Sequence, residues 1–472
     1  MVDFLALFVG LGLTWAFGAA LIGALYRVAQ PGDVLPGAWL VGCGWFVGAF
    51  ATTLVMRALS STGIAFGVAS VGMPVLVLTL AAAWIAIRGR GPETWLAMRR
   101  FFGALRGGGL QGWQRTVWIV VVAWLALRFA LLFAEVWWRP LYPWDAWTQW
   151  GTKARVWFEM RSMVPFASAG EWFAAPPEAR LWYDAAPHYP GTMPLLQVWS
   201  ALLVGRWDDA LANLPWWVTG VAFAVALYGG LLLLGFRRLP ALLGATVVLT
   251  LPIVNVHVAL AGYADLPIAC YLTLGTIAGV QAIRTRGVAT AVLAVVLLAA
   301  MVLVKNPGKA WLLTLVPTFI AAALPRYGVR IAAAVLGLSI FALLVVTRLG
   351  VTILGYQFTN KFALPWDALF DAYFSFANWN LLWYAALAAL VIGRRQLFSA
   401  DVAPYTLAVA SGLLFLFIGF AFTNAGAWVE DQSTTNRATL HVAPLVVVWM
   451  LVVAQAWFRN ARPPSRTVAP ET

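Results

Sequence analysis

Tyr142-Pro-Trp-Asp-Ala-Trp-Thr-Gln-Trp-Gly-Thr-Lys-Ala-Arg-Val-Trp-Phe158 marks the place where a series of long apolar runs gives way to polar chemistry. The run before it, 115–137, is long enough to cross a hydrocarbon core, which takes about 20 residues of helix. The stretch opens the longest gap between such runs, 139–208. Within it Asp145 stands between Trp144 and Trp147, with Lys153 and Arg155 close behind. Tryptophan favours the membrane–water boundary because its ring is apolar while its N–H seeks a partner. A carboxylate at that depth can meet an aqueous substrate while the aromatic rings hold a lipid-linked one. The pattern points to an enzyme working at the bilayer surface.

Composition sets the class. Of 472 residues, 62% are hydrophobic and 10% charged, against roughly 25% charged in soluble domains. With a mean hydropathy of +0.83 the chain reads as an all-α polytopic membrane protein. The net charge of +13 does not indicate nucleic acid. Its arginines fall in short gaps on alternate sides: Arg88, Arg90, Arg99, Arg100, Arg106 and Arg115; Arg237 and Arg238; Arg284 and Arg286; Arg326 and Arg330; Arg394 and Arg395; Arg459, Arg462 and Arg466. That alternation is the positive-inside pattern. Cys43 and Cys270 both lie in apolar runs and read as buried free thiols. Met1-Val-Asp-Phe4 lacks a basic n-region, so the first run is expected to be a retained helix.

Spans are expected at 4–27, 36–58, 63–87, 115–137, 209–235, 240–259, 266–283, 287–304, 309–324, 330–350, 377–393, 402–424 and 439–458. These make about thirteen crossings at the length a bilayer demands. Arginine-rich gaps on the cytoplasmic side put the N-terminus outside and the C-terminus inside, as an odd number of crossings requires. The outward gaps are then 139–208, 261–265, 305–308, 351–376 and 425–438, and they hold most of the acidic residues. Three parts follow: a three-helix block with a basic loop over 1–114, a membrane domain over 115–458, and a tail over 459–472 that reads as disordered. The basic loop, with Gly107-Gly-Gly109, reads as an orienting linker or as a site for anionic headgroups.

In the large gap, Trp147, Trp150, Ala154, Trp157 and Phe158 recur with helical spacing, leaving Gln149, Lys153 and Arg155 among the polar positions. Such a helix is expected to lie in the interface plane. A second short helix over 195–203, after His188-Tyr-Pro-Gly-Thr-Met-Pro194, completes a shelf at the outer boundary. Asp145 can cap the helix beginning at Ala146, act chemically, or both. His188 is either a hydrogen-bonding interface residue or a substrate contact, while His257 and His441 read as packed histidines.

Asp265, in Gly262-Tyr-Ala-Asp-Leu-Pro267, either caps the following helix or belongs to a site. Lys305-Asn-Pro-Gly-Lys309 sets two lysines in an outward gap, against the positive-inside bias. They are candidates for a phosphate at a helix N-terminus, or they snorkel to the interface. Arg437, before the last helix, can grip phosphate with two parallel hydrogen bonds or pair with Glu430 or Asp431. Arg128, inside the fourth span, has no evident partner.

Taken in order, Trp144-Asp-Ala-Trp147 with its Lys153-Ala-Arg155 helix, His188-Tyr-Pro, Pro194-Leu-Leu, Tyr263-Ala-Asp-Leu-Pro267, Lys305-Asn-Pro-Gly308 and Asn436-Arg437 before Pro444 resemble bacterial GT-C glycosyltransferases. These are the integral-membrane enzymes related to protein O-mannosyltransferases and to the lipid A aminoarabinose transferase. The resemblance covers 118–458 and leaves out the first three helices. It implies a GT-C-like bundle with interfacial helices in a periplasmic loop, in the bacterial inner membrane. The implied donor is a sugar on a polyprenyl (undecaprenyl) phosphate, and the implied acceptor a hydroxyl on a lipid, a polysaccharide or a protein.

The implied roles are Asp145 as general base and Lys153, Lys305, Lys309 and Arg437 as ligands of the donor phosphate. Trp144, Trp147, His188, Tyr189 and Asp265 would contact substrate. Many members carry two adjacent acidic residues where this chain has Asp145-Ala146, so a metal role does not carry over and no cofactor is indicated. The alternative is a transporter or flippase of lipid-linked sugars. It predicts repeated halves and polar residues at mid-bilayer, whereas here no repeat is evident and polarity gathers on one face.

Overall fold

The computed structural model describes residues 2–31, 35–88, 103, 107–259, 262–353, 356–358, 362 and 364–461. Most of the expected basic loop and the tail after 461 lie outside them. The described residues are nearly all helical and fall into two compact units, 1–313 and 314–472. Compact packing thus divides the chain well beyond the first three helices, which belong to the first unit.

The first unit begins with α1 (Val2–Ala29), α2 (Gly37–Ser61), α3 (Val68–Ile87) and α4 (Trp113–Trp138). The large loop holds α5 (Thr152–Met160), entered through a π-helical turn at Ala146–Gly151, then α6 (Ala169–Ala174) and α7 (Thr192–Val204). It continues with α8 (Leu214–Leu233), α9 (Arg238–Leu249), α10 (Pro252–Ala259), α11 (Asp265–Thr285), α12 (Val288–Val304) and α13 (Pro307–Thr314), whose last residue opens the second unit.

Apolar helices gain little from burial against one another in lipid, so close backbone approach must hold them together. Gly18 of α1 shows how: a Cβ there would overlap the backbone of Gly44 and Gly48 on α2. α2 in turn packs along α8, and α11 pairs with α12 as a hairpin.

Among the described residues nine helices are long and apolar enough to cross a membrane, or ten if α9 and α10 count as one bent span. The thirteen expected crossings are not all present as continuous helices, and proline accounts for much of the difference. The 240–259 run breaks by 68° between α9 and α10 at Pro252, whose ring removes a donor and crowds the preceding turn. The 309–324 run is two eight-residue helices, α13 and α14 (Val316–Ala323), with Pro317 in the first turn of the second. The 377–393 run holds a helix only over Leu382–Ile392, and 287–304 is the 17-residue α12.

α7 overturns a second expectation. All 13 of its residues are buried, and it packs on α1, α2 and α5. Trp199 donates its indole N–H to Thr14 Oγ1 on α1 at 3.1 Å. A short apolar stretch between turns therefore forms a core helix of this unit instead of a surface shelf.

The second unit contains α14, α15 (Gly328–Leu349), a two-residue antiparallel ladder of β1 (Thr352–Ile353) and β2 (Tyr356–Gln357), and α16 (Trp366–Phe370), which runs into a π turn. Then come α17 (Leu382–Ile392), α18 (Ala403–Phe422), α19 (Ala427–Glu430), α20 (Ser433–Leu440) and α21 (Ala443–Ala461). Ala321, Ala332 and Leu407 form one buried apolar cluster within it.

Candidate functional site

Three gaps of the first unit meet at one end. Gly262 lies directly on Ala146, so that a Cβ at 262 would overlap the Ala146 methyl. Lys305 reaches Asp265, and Thr192 Oγ1 donates to Leu303 O at 2.7 Å. The α2–α3 turn joins them: Ser60 Oγ accepts from Met163 N at 2.9 Å, and Phe66 N donates to Arg161 O at 2.6 Å. At the other end the arginine-bearing gaps meet one another. Arg27 donates to Arg88 O, Arg238 to Gly108 O, and Tyr26 OH pairs with Thr290 Oγ1. The carboxylate–lysine pairs and the contacts of Arg27 and Arg238 thus occupy opposite ends of this unit.

Asp145 does not cap the helix that follows it. Its backbone is already helical, at φ −63° and ψ −27°, and its side chain makes no bond to the first turn. It is half-buried, between the exposed rings of Trp144 and Trp147, which meet edge to face at 5.3 Å. The π turn causes this exposure. A π turn shifts the phase of the face, so Ala146, Trp150, Gly151, Lys153, Ala154, Trp157 and Phe158 point inward while Trp147 points out.

The inward turn of Lys153 corrects its expected place on the polar face. Its side chain is 1% exposed and pairs with the fully buried Asp184 at 3.1 Å, while Nζ also donates to Ala186 O. Asp184 accepts from Ala186 N at 2.7 Å. Burial pulls the Lys153 ammonium below its usual range and pushes the Asp184 carboxyl up, each offset in part by the other's charge. Lys153 is therefore committed to bracing the loop.

Nearby, Tyr189 stacks on the buried ring of Trp150 at 5.4 Å and 18°. His188 is exposed. The Glu171 carboxyl is held below its usual range, mainly by the Ser168 N–H at 2.7 Å and the Ser168 hydroxyl, with a contribution from the field of His188.

Asp265 is the first residue of α11, and Ala264 occupies the cap position. The Asp265 carboxylate turns instead to Lys305 Nζ at 2.7 Å, an almost wholly buried pair. Both charges suit their places: the acid sits at a helix N-terminus and the cation just past the C-terminus of α12. Lys309 is exposed on the first turn of α13. Trp216 anchors the segment before Asp265 through its indole N–H to Tyr263 O at 2.6 Å.

Gly262 is the hinge of this geometry. Its φ of +111° is strained for any L side chain, and Ala146 and Leu141 leave no room for one. Gly262→Val should therefore lower the thermal unfolding midpoint, by an amount equivalent to about 1–3 kcal/mol. An unchanged midpoint would show that residues 141–146 do not rest on this segment.

Arg128 resolves simply. Its Nε donates to Asn255 Oδ1 at 2.9 Å and its guanidinium lies 5.5 Å from the Trp124 ring, while Glu135 pairs with Arg139 at 2.6 Å. Arg57 was the less legible residue, since its one signal is an arginine inside an apolar run. It is half-buried in the last turns of α2 and donates to Thr192 Oγ1 at 3.3 Å.

In the second unit, Arg437 is half-buried in the last turn of α20. Around it, Trp379 Nε1 donates to Asn436 Oδ1 at 2.9 Å and Tyr373 OH pairs with Thr439 Oγ1 at 2.8 Å. His257 and His441 are both buried, and His257 Nδ1 lies 2.8 Å from Ile253 O.

Among the described residues no three His, Cys, Asp or Glu side chains are grouped so as to hold a metal ion. Comparison of the chain with family models, with curated proteins and with solved structures returns no match.

Proposed function

We propose that this chain is a membrane-embedded glycosyltransferase of the GT-C kind, moving a sugar from a polyprenyl-phosphate donor to a hydroxyl on a lipid, polysaccharide or protein at the periplasmic face. One observation carries the reading. The packing of Gly262 on Ala146 brings Asp145 beside the segment that delivers Asp265 and Lys305. A half-buried carboxylate one residue from that contact, with a buried acid–lysine pair formed by a residue three positions beyond it and with exposed tryptophans alongside, suits a reaction between a water-borne hydroxyl and a lipid-borne phosphate.

In the proposed step the acceptor oxygen attacks the anomeric carbon and the bond from that carbon to the phosphate oxygen breaks. Asp145 takes the hydroxyl proton, a role typically worth about 10²–10⁴-fold in rate. The polyprenyl phosphate leaves with its electron pair, and cations already in place stabilise its charge. Lys305 and Lys309 serve that role in the first unit. Trp144 and Trp147 offer ring faces to sugar or prenyl chain, with His188 and Tyr189 as further contacts. Lys153 acts at one remove, by holding the loop.

The direct test is incubation of the purified protein with labelled polyprenyl-phosphate sugars and candidate acceptors, without any gradient. The expected result is labelled product together with free polyprenyl phosphate. Movement of intact donor between leaflets with no product would identify a flippase instead. Lys305→Ala, combined with Asp265→Asn so that no carboxylate is stranded, should raise the apparent KM for donor by about tenfold, the loss of one charge-assisted contact. An unchanged KM would remove Lys305 from the phosphate site.

A further inference from the structure

The buried or half-buried cations of the first unit are nearly all compensated. Lys153 has Asp184, Lys305 has Asp265, and Arg128 has the Asn255 carbonyl and the Trp124 ring. Arg27 has the Arg88 carbonyl, whereas Arg57 is left with a hydroxyl. Among the described residues no carboxylate lies within ion-pair distance of it, and its buried Nε has no hydrogen-bond partner. Its polar contact among the described residues is the long one to Thr192 Oγ1, a hydroxyl already oriented by donating to Leu303 O.

An arginine within a membrane-spanning helix is costly unless it meets an opposite charge or a polar partner. Arg57 also faces the first residue of α7, where the positive end of a helix adds to the same field. The neighbourhood is cationic and incomplete. Arg57 is four residues from the end of the 25-residue α2, and Leu303 is two residues before Lys305; the ends of a helix of that length reach the headgroup level of a bilayer. α2 lies outside the stretch that resembles GT-C enzymes, so the resemblance assigns this residue no role.

We propose that Arg57, with Thr192, forms a binding site for a phosphoryl oxyanion at this end of the first unit. The guanidinium supplies a planar fork that takes two phosphate oxygens in parallel, and Nε becomes one of its two donors. Thr192 holds the fork in place through its hydroxyl. The ligand is a phosphate monoester on an isoprenoid lipid or free phosphate, and the site requires only that anion, whether or not the chain transfers sugar.

The test uses the full-length protein in detergent and reads apparent affinity from the shift in unfolding midpoint with ligand concentration. Three probes are compared: farnesyl phosphate, farnesol and inorganic phosphate. For the unaltered protein, farnesyl phosphate should bind at least about tenfold more tightly than farnesol, the yield of one charge-assisted contact. Arg57→Gln and Arg57→Ala should cut that difference by about tenfold, leaving only what Lys305 and Lys309 contribute. Arg57→Lys should keep part of it, because an ammonium retains the charge without the fork.

Competition by inorganic phosphate supports a site that takes free phosphate, and failure to compete alongside tight farnesyl phosphate binding supports a lipid headgroup. Equal affinity for farnesyl phosphate and farnesol in the unaltered protein overturns the proposal, even should every Arg57 variant fail to fold. So does a full difference in Arg57→Gln. Asp145→Asn should keep the difference while losing transfer, which separates this site from the catalytic claim. Loss of the difference in that variant counts against Arg57 as the anion's ligand.

Discussion

Asp145→Asn should lower the turnover of a polyprenyl-phosphate sugar by about 10²–10⁴-fold while leaving the unfolding midpoint unchanged. The amide matches the carboxylate in shape and cannot take the acceptor proton. Folding should tolerate the change because Asp145 is only half-buried and does not cap the π turn it precedes. The apparent KM for donor should move little, since the proposed work of this group is on the acceptor hydroxyl. Full turnover in the variant would exclude Asp145 as the base. A fall in midpoint together with lost activity would instead make it a structural residue.

The second large effect concerns stability. Asp184→Ala leaves the Lys153 ammonium buried with only the Ala186 carbonyl as partner. Stranding one member of a buried pair typically costs about 3–5 kcal/mol. The unfolding midpoint should fall steeply, and protease should cut the 161–191 loop at lower temperature. The double variant Lys153→Met with Asp184→Leu should recover most of the loss, because apolar replacements remove both desolvation penalties together. If Asp184→Ala unfolds within a degree of the parent, the pair is not the brace that its burial indicates.

How much of this was legible in the sequence varies with the range of the interaction. Length and apolarity suffice for helices such as α2, α4 and α11, whose spans lie close to those expected. They fail where proline interrupts a run, as at Pro252 and Pro317, because hydropathy averages over a residue that stops a helix. α7 was readable as a helix but not as a buried one: a short apolar helix looks the same in a core and at an interface until its neighbours are known.

The inward turn of Lys153 depends on Asp184, in a distant part of the loop, and on the phase shift of a π turn that no periodicity rule anticipates. Asp265 and Lys305 were each visible as outliers, yet either could have been a cap or a snorkelling residue. Only the hairpin of α11 and α12 shows that they meet. Arg57 lacks a local motif altogether; its interest lies in what fails to surround it.

The claim that Asp145 activates an acceptor for direct displacement is tested most closely by the anomeric configuration of the transferred sugar. A donor of defined configuration would be used by the purified protein and the new glycosidic linkage assigned by NMR. A single displacement predicts a product inverted at the anomeric carbon. A retained configuration, formed at the normal rate, would contradict a mechanism in which Asp145 serves only as a base.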